Sequence, residues 1–292
     1  MIDCIIVGSG VAGISAALTL KANGKSCMLF GSSELSEKIT KAESIRNYPA
    51  FLEVTGERFC ELLKTQLAQE EIPVIEEKVG GVYALNGKFG VSTQQGGYYE
   101  STCVILACGV ESVKQIDGET EFSGRGVSYC ATCDGALYRG KTIAVLCTSK
   151  RLEHEISYLA NFAKTVYLIP MYKQVEVQGE NIQIIKKMPT KIDGDRRVNK
   201  IIFNAPPSET IQQELPVDGV FMLRESVSPA ILVGGLEMQD GHVAVDRSMA
   251  TNLDGCFAAG DCTGRPYQYA KAVGEGNVAA HAVSAFLSKK KE

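Results

Sequence analysis

The sequence predicts an α/β protein that contains two Rossmann-like folds. Two stretches show the order apolar strand, turn, helix and second apolar strand, one beginning at residue 5 and the other at residue 141. A third stretch, residues 255–261, has the pattern of a strand that ends in Gly-Asp and leads into a long helix. Strands that alternate with helices in this way favour a parallel sheet with helices on its faces.

The first unit carries a glycine-rich turn. Residues 5–7 predict a buried strand, residues 14–22 a helix, and residues 26–30 a second strand. The turn between strand and helix is Gly8-Ser9-Gly10-Val11-Ala12-Gly13. Gly8 permits the tight turn, Gly10 lets the backbone approach a pyrophosphate, and Gly13 allows close packing of helix and strand.

This context predicts a dinucleotide site, because a helix N-terminus offers free N–H groups and a favourable dipole to a phosphate. Glu34 lies just past the second strand and is the nearest carboxylate for a ribose hydroxyl. The alternative interpretation is a glycine turn that holds no ligand.

The rest of the chain continues the α/β pattern. A helix is predicted at residues 56–70, and strands at residues 79–85, 89–93, 98–102 and 103–107. Polar residues 112–123 indicate a crossing to another lobe. The second unit and the C-terminal part then give strands at 141–147, 165–169, 217–223 and 230–233, helices at 152–162 and about 270–287, and a turn at Asp193-Gly194 within strand-like residues 173–203.

Composition narrows the function classes. The chain has 292 residues, enough for one or two domains, and its net charge of −4 argues against general nucleic-acid binding. No charged leader precedes the first strand, and no apolar run reaches the length of a membrane span. We therefore expect a cytoplasmic protein without a membrane partner, in which structural disulfides are uncommon.

A Cys-x-x-Cys motif stands at Cys130 and Cys133, and Asp134 follows it directly. Two thiols at this spacing can close and reopen a disulfide, one attacking a partner disulfide and the other resolving the mixed disulfide. The adjacent carboxyl group can donate or accept a proton. The alternative, half of a zinc site, needs a second Cys-x-x-Cys or a Cys/His pair, and the sequence contains neither at ligand spacing. We therefore expect redox chemistry and no metal.

Together these pieces resemble the low-molecular-weight thioredoxin reductases, which are flavoprotein disulfide reductases with two dinucleotide-binding folds. The resemblance covers nearly the whole chain. It is carried by residues 8–13, Asn47-Tyr48-Pro49, Ile105-Leu106-Ala107-Cys108-Gly109, residues 126–135 and Phe257-Ala258-Ala259-Gly260-Asp261.

The resemblance implies FAD as cofactor and assigns site residues. The FAD domain would comprise residues 1–113 and 237–292, with residues 114–236 inserted as a degenerate NADPH-type domain that carries the Cys-x-x-Cys. The glycine turn, Asn47, Gly260, Asp261 and Gln268 are the implied cofactor contacts. A homodimer and rotation between the domains, with hinges near residues 112–114 and 234–235, are also implied.

The resemblance further implies roles for the redox pair. Cys133 matches the thiol beside the flavin, and Cys130 matches the thiol that attacks the thioredoxin disulfide. Asp134 matches the acid that handles the protons.

The second nucleotide site departs from the family pattern. The family's glycine-rich turn falls on Cys147-Thr148-Ser149, and its cationic His-Arg-Arg falls on Pro170-Met171-Tyr172. Charge-assisted hydrogen bonds contribute about 1.5–3 kcal/mol each, so losing several would weaken NADPH binding by about three orders of magnitude.

Another electron donor is therefore expected. A group of these reductases lacks the NADPH motifs and uses ferredoxin, and this chain resembles that group most. Residues 136–205 contain twelve Lys/Arg and six Asp/Glu, a balance of +6 that suits an acidic donor. The alternatives are an NADPH enzyme in which Lys150 and Arg151 hold the phosphate, a diflavin oxidoreductase with a second flavin stacked on Tyr167 or Tyr172, and a flavin redox sensor that does not turn over.

Overall fold

The computed structural model describes residues 2–40, 42–110, 116–204, 213–224 and 228–290. The chain divides into two compact units, Met1–Val110 with Ser228–Glu292 (unit 1) and Glu111–Val227 (unit 2). The predicted α/β class with two Rossmann-like folds is confirmed. The predicted boundary at 113/114 and the hinge at 112–114 lie outside the described residues. The second division falls between Val227 and Ser228, earlier than the predicted 236/237, and Gly234 and Gly235 lie within unit 1.

The helices and strands are labelled in chain order. The helices are α1 (Val11–Ala22), α2 (Glu37–Thr40), α3 (Gly56–Gln69), α4 (Ala131–Asp134), α5 (Glu153–Ala160), α6 (Pro229–Leu232) and α7 (Tyr269–Lys289). The first nine strands are β1 (Ile2–Val7), β2 (Cys27–Phe30), β3 (Val74–Ile75), β4 (Val79–Leu85), β5 (Lys88–Thr93), β6 (Tyr98–Leu106), β7 (Val127–Ser128), β8 (Thr142–Cys147) and β9 (Thr165–Pro170). The remaining strands are β10 (Ile182–Ile184), β11 (Pro189–Gly194), β12 (Val198–Phe203), β13 (Gln213–Pro216), β14 (Gly219–Leu223), β15 (Met238–Gln239), β16 (His242–Val243) and β17 (Cys256–Ala258). Short 3₁₀ helices cover Gly135–Tyr138, Lys150–Leu152 and Asp261–Thr263.

Unit 1 is built around a seven-stranded sheet in the order β3-β2-β1-β6-β5-β4, with β17 also paired to β6. The pairings β2–β1, β1–β6 and β17–β6 are parallel, so the carboxyl ends of these strands meet at one edge of the sheet. Helices α1 and α7 pack against each other, since Gly276 of α7 lies so close to α1 that an added Cβ would stand 2.1 Å from the Ala12 carbonyl oxygen. This packing places the start of α1 beside the segment that follows β17.

Unit 2 contains a five-stranded parallel sheet in the order β10-β9-β8-β14-β7 and an antiparallel sheet of β11, β12 and β13. The central strand β8 is apolar and buried, which is typical of a strand covered on both faces. A buried ion pair between Arg224 and Glu119, 2.9 Å apart, joins residues from the two ends of this unit. Glu119 also accepts hydrogen bonds from the Tyr129 hydroxyl and the Ile116 N–H, so the buried carboxylate is well compensated.

Two local predictions were wrong. Residues 230–233 were expected to form a strand, but Pro229–Leu232 is the short helix α6, because a proline in the first turn and Ser228 before it favour a helix start. The expected turn at Asp193-Gly194 lies within β11 instead, and residues 195–197 make the connection to β12. Within the described ranges, no helix has the length and apolar character that a bilayer span requires.

Candidate active site

The glycine turn of unit 1 is shaped by two close backbone approaches. Gly8 has a φ of +117°, and a Cβ there would lie 2.3 Å from the Ala107 carbonyl oxygen. A Cβ on Gly13 would lie 1.9 Å from the carbonyl oxygen of Gly8. Both positions therefore require glycine for the fold itself, which agrees with the roles the sequence predicts for them.

Gly10 is different, because the fold does not need a glycine there. Its backbone is extended, with a φ of −76°, and apart from its chain neighbours no described protein atom lies within 4 Å of an added Cβ. The open space lies at the start of α1, whose first turn carries no acidic residue. A pyrophosphate that approaches the helix N-terminus would use this space, so the turn fits a dinucleotide.

The other residues of the turn support its shape. The Ser9 hydroxyl donates to the Ser32 carbonyl oxygen and accepts from the Ser32 N–H, both at 2.9 Å, which ties the turn to the end of β2. Val11 and Ala12 are buried. The contacts of Ser9 within the protein are a feature that the sequence pattern did not reveal.

Glu34 lies just beyond β2, as predicted, and its carboxylate pairs with Lys64 of α3 at 2.7 Å. The pair is solvent-exposed, with 66% of the Glu34 side chain accessible. A groove of about 460 Å³ beside it is lined mostly by apolar side chains, among them Leu67 of α3 and Val74 of β3. The ribose contact of Glu34 stays a prediction, and its partner Lys64 was not foreseen.

Gly260 and Asp261 follow β17 at the same edge of the sheet. Gly260 has a φ of +89°, and a Cβ there would lie 2.9 Å from the Cβ of Ala12 in the first turn of α1. The structure therefore brings Gly260 to the glycine turn, although some 250 residues separate them along the chain. Asp261 begins the 3₁₀ helix beside it.

Asn47 and Gln268 also meet in space. The Asn47 amide nitrogen donates to the side-chain oxygen of Gln268 at 2.5 Å, across a sequence separation of 221. Gln268 is the N-cap residue of α7. Two residues that the family resemblance assigned separately to the cofactor thus lie in direct contact.

Lys271 and Glu275 of α7 were missed in the sequence. Both side chains contact the turn that presents Asp261, and they are paired with each other at 3.1 Å. The sequence pattern that could have indicated them is a Lys and a Glu four residues apart in the first two turns of the helix after Gly-Asp.

The redox motif lies in unit 2. Cys130 and Cys133 are joined by a disulfide, and the Cys133 N–H donates to the Cys130 sulfur at 3.1 Å at the start of α4. Cys130 is buried, with 8% exposure, whereas Cys133 is exposed. The two sulfurs therefore differ in access, which the sequence alone did not indicate.

Asp134 is linked to the redox pair through Ser128. The Ser128 hydroxyl donates to an Asp134 carboxylate oxygen at 2.7 Å and accepts from the Cys130 N–H at 3.1 Å. Ser128 ends β7, so the sheet fixes the position of the carboxylate. This serine is a further residue that sequence reasoning missed.

Side chains of the chain itself form hydrogen bonds around the second turn, which follows β8. The Cys147 thiol donates to the Ser149 carbonyl oxygen at 3.2 Å, and burial raises the pKa of this thiol to about 11. At the start of α5, one carboxylate oxygen of Glu153 accepts from the Tyr172 hydroxyl at 2.8 Å and from the Glu176 N–H at 3.0 Å.

The side chains of Tyr172 and Lys150 both bind acidic residues of this network. Burial, and then the hydrogen bond to Glu153, hold the pKa of the Tyr172 phenol well above its ordinary value. The Lys150 ammonium group pairs with the side-chain carboxylate of Glu176 at 2.5 Å. No group of metal-ligating side chains occurs among the residues that the structure describes.

Comparisons with known proteins identify the family of this chain. Residues 2–276 match the model of the pyridine nucleotide-disulphide oxidoreductases. The chain belongs to this family. It is 32% identical to a thioredoxin reductase from Helicobacter pylori strain J99, over 98% of this chain and 99% of the relative.

Solved structures extend the comparison. A ferredoxin-flavin thioredoxin reductase from Clostridium acetobutylicum is 42% identical, with a TM-score of 0.90 over 99% of this chain and 98% of that chain. A thioredoxin reductase from Gloeobacter violaceus is 29% identical, with a TM-score of 0.80 over 100% of this chain and 95% of that chain. The chain is thus a thioredoxin reductase homologue and its cofactor is FAD, which the open space at Gly10 fits.

The contrast between Gly10 and Gly13 gives a direct test. Gly10→Ala is expected to leave the FAD-free protein folded and to weaken FAD binding at least about tenfold, because its methyl group enters the space needed for backbone approach to the pyrophosphate. Gly13→Ala is the matched control and should lower the thermal midpoint even without FAD. Flavin fluorescence titration and thermal melts measure both effects. Wild-type FAD affinity in Gly10→Ala would contradict the assignment of this turn.

Proposed function

We propose that this protein is a flavin-dependent thioredoxin reductase that takes electrons from reduced ferredoxin and does not use NADPH. The observation that carries the proposal is the carboxylate of Glu153 at the start of α5, held by Tyr172 and the Glu176 N–H. In a working dinucleotide fold, this helix end receives a phosphate. Here the first turn of α5 carries a carboxylate of the protein itself.

Electrostatics oppose a nucleotide at this turn. The negative charge of Glu153 would repel a phosphate brought to the same helix end. Pro170, Met171 and Tyr172 supply no cation for a 2′-phosphate, and charge-assisted hydrogen bonds of that kind contribute about 1.5–3 kcal/mol each. Lys150 pairs with Glu176 instead. These contacts weigh against NADPH bound through Lys150. The Tyr172 side chain packs against the apolar core of unit 2, which weighs against a second flavin stacked on its ring.

Support for ferredoxin as donor comes from the comparison and from charge. The solved structures from Clostridium acetobutylicum that this chain matches at 42% and 44% identity are described as ferredoxin-flavin thioredoxin reductases. The net balance of +6 over residues 136–205 suits an acidic carrier. FAD, when bound, supplies the ability to take up electrons singly and to pass them on in pairs.

The chemistry at thioredoxin is assigned to the two cysteines of α4. In the reduced pair, the Cys130 thiolate attacks one sulfur of the thioredoxin disulfide, which forms a mixed disulfide and releases one thioredoxin thiolate. The Cys133 thiolate then attacks Cys130, which closes the Cys130–Cys133 disulfide and releases the second thioredoxin thiolate. Two electrons leave the pair, and two protons are taken up by thioredoxin. Asp134, held by Ser128, is the proposed proton carrier.

The assignment of Cys130 as the attacking thiol depends on whether a partner disulfide can reach its sulfur. With 8% exposure, the Cys130 side chain is too buried here for a partner disulfide to reach its sulfur. The attack therefore requires a conformation in which Cys130 is exposed. The homodimer and the cytoplasmic location stay predictions.

An anaerobic titration tests the electron donor. Reduced ferredoxin is expected to bleach the visible flavin absorbance of the purified protein, whereas NADPH and NADH should leave it unchanged, because the second turn cannot hold a nucleotide. An NADPH-dependent thioredoxin reductase in the same buffer is the positive control for NADPH. Rapid bleaching of the flavin by NADPH would contradict the proposal. Steady-state reduction of thioredoxin would exclude a redox sensor that does not turn over.

Trapping identifies the attacking thiol. Reduced Cys133→Ser protein is expected to accumulate a covalent adduct with oxidised thioredoxin through Cys130, because no second thiol resolves the mixed disulfide. Cys130→Ser should form no such adduct, lose thioredoxin reduction and keep FAD, since both cysteines lie in unit 2. Mass spectrometry of the adducts identifies which cysteine is joined to thioredoxin. An adduct in Cys130→Ser alone would assign the attack to Cys133.

A further inference from the structure

We propose that Lys271 and Glu275 are positioning residues of the FAD site, which hold the turn at residues 260–264 in the shape that presents Asp261 to the cofactor. Neither residue belongs to the motifs that carry the family resemblance. The proposal concerns the FAD site of unit 1 and stands whether the electrons come from ferredoxin or from NADPH.

Lys271 uses its ammonium group entirely on this turn and its acidic neighbour. The Nζ atom donates to the carbonyl oxygens of Gly260 and Gly264, at 2.8 and 2.7 Å, and to the Thr263 hydroxyl oxygen at 2.9 Å. An ammonium group has three donors, and these three acceptors match them in number. The lysine therefore ties the first and last residues of the turn to one point.

Glu275 completes the clamp from the next turn of α7. Its Oε2 atom accepts from the Gly260 N–H at 2.9 Å and lies 2.8 Å from the Thr263 hydroxyl. The same oxygen lies 3.1 Å from the Lys271 ammonium. Both side chains are only 19% exposed, so these contacts are shielded from water. Gly260 is thus held at both its N–H and its carbonyl group.

The turn needs such a clamp because its backbone is permissive. Gly260 and Gly264 both have positive φ values, +89° and +127°, a region that glycine reaches at little cost but in which it is not fixed. Gly260 lies beside Ala12, at the start of α1 where the pyrophosphate is expected. Ordering this turn before the cofactor arrives reduces the entropy lost on binding.

Helix stability does not explain these residues. Lys271 is the third residue of α7, and a cation in the first turn of a helix is disfavoured by the helix dipole. A lysine that precedes a glutamate by four residues is also the less favourable order of such a pair. The placement is therefore explained by the turn that both side chains bind. Because the pair is neutral together, it adds no net charge next to the phosphate.

The test compares four variants in the full chain. Lys271→Met and Glu275→Leu are expected to raise the FAD dissociation constant at least about tenfold and to change the visible circular dichroism of the bound flavin. Glu275→Gln keeps an oxygen acceptor for the Gly260 N–H and should stay within about threefold of wild type. Lys289→Met, at the exposed end of the same helix, is the control and should match wild type.

The readouts separate positioning from general stability. FAD binding to the FAD-free protein, the flavin dichroism and the thermal midpoint without FAD are measured for each variant. FAD affinity and dichroism like wild type in Lys271→Met and Glu275→Leu would overturn the proposal. So would a lower midpoint of the FAD-free protein with an unchanged flavin signal. If Lys271→Met fails to fold, the difference between Glu275→Leu and Glu275→Gln decides the question. None of these readouts involves ferredoxin or NADPH.

Discussion

Close approach of backbone to backbone shapes the turn at the end of strand β1. In unit 1, Gly8 and Gly13 allow β1, the turn and α1 to come within distances that no Cβ would permit, and Gly276 brings α7 against the same helix. These contacts leave the start of α1 open at Gly10 and place Gly260 beside it. This packing brings the glycine turn and Gly260, both predicted cofactor contacts, to the same edge of the sheet.

Unit 2 has the same strand–turn–helix topology, but we propose that its turn does not bind a nucleotide. Strand β8 leads through Cys147-Thr148-Ser149 into α5, so the strand and helix of a nucleotide fold are present. The side chains at the turn, however, bond within the protein, and Glu153 brings a negative charge to the helix end that a phosphate would occupy. We infer that this strand–helix unit keeps its fold without a nucleotide, because local side chains form hydrogen bonds with one another around the turn. The redox pair at α4 lies in the same unit, and its proposed disulfide substrate is distinct from a nucleotide.

The parts of the structure that depend on local sequence pattern could be predicted from the sequence. The β1 to α1 turn, the β8–α5–β9 unit and the Cys-x-x-Cys could be predicted because period and glycine spacing are local properties. Three sets of contacts could not be predicted, because each depends on which side chains tertiary packing brings together. They are the contacts of Lys271 and Glu275, the contact of Ser128 with Asp134, and the pairing of Glu34 with Lys64. The apolar segment at 230–233 was assigned to a strand because a short apolar run does not distinguish helix from strand, and Pro229 decided the outcome.

Equilibrium binding of NADP⁺ to the FAD-loaded protein tests most directly whether unit 2 has lost its nucleotide site. Isothermal titration calorimetry is suited to this, because it needs no electron transfer and reports binding alone. We predict no saturable heat at NADP⁺ concentrations that saturate an NADPH-dependent thioredoxin reductase, which corresponds to an affinity weaker by about three orders of magnitude. Binding as tight as in that reference enzyme would contradict the assignment of Glu153 and Tyr172 as the groups that close the site.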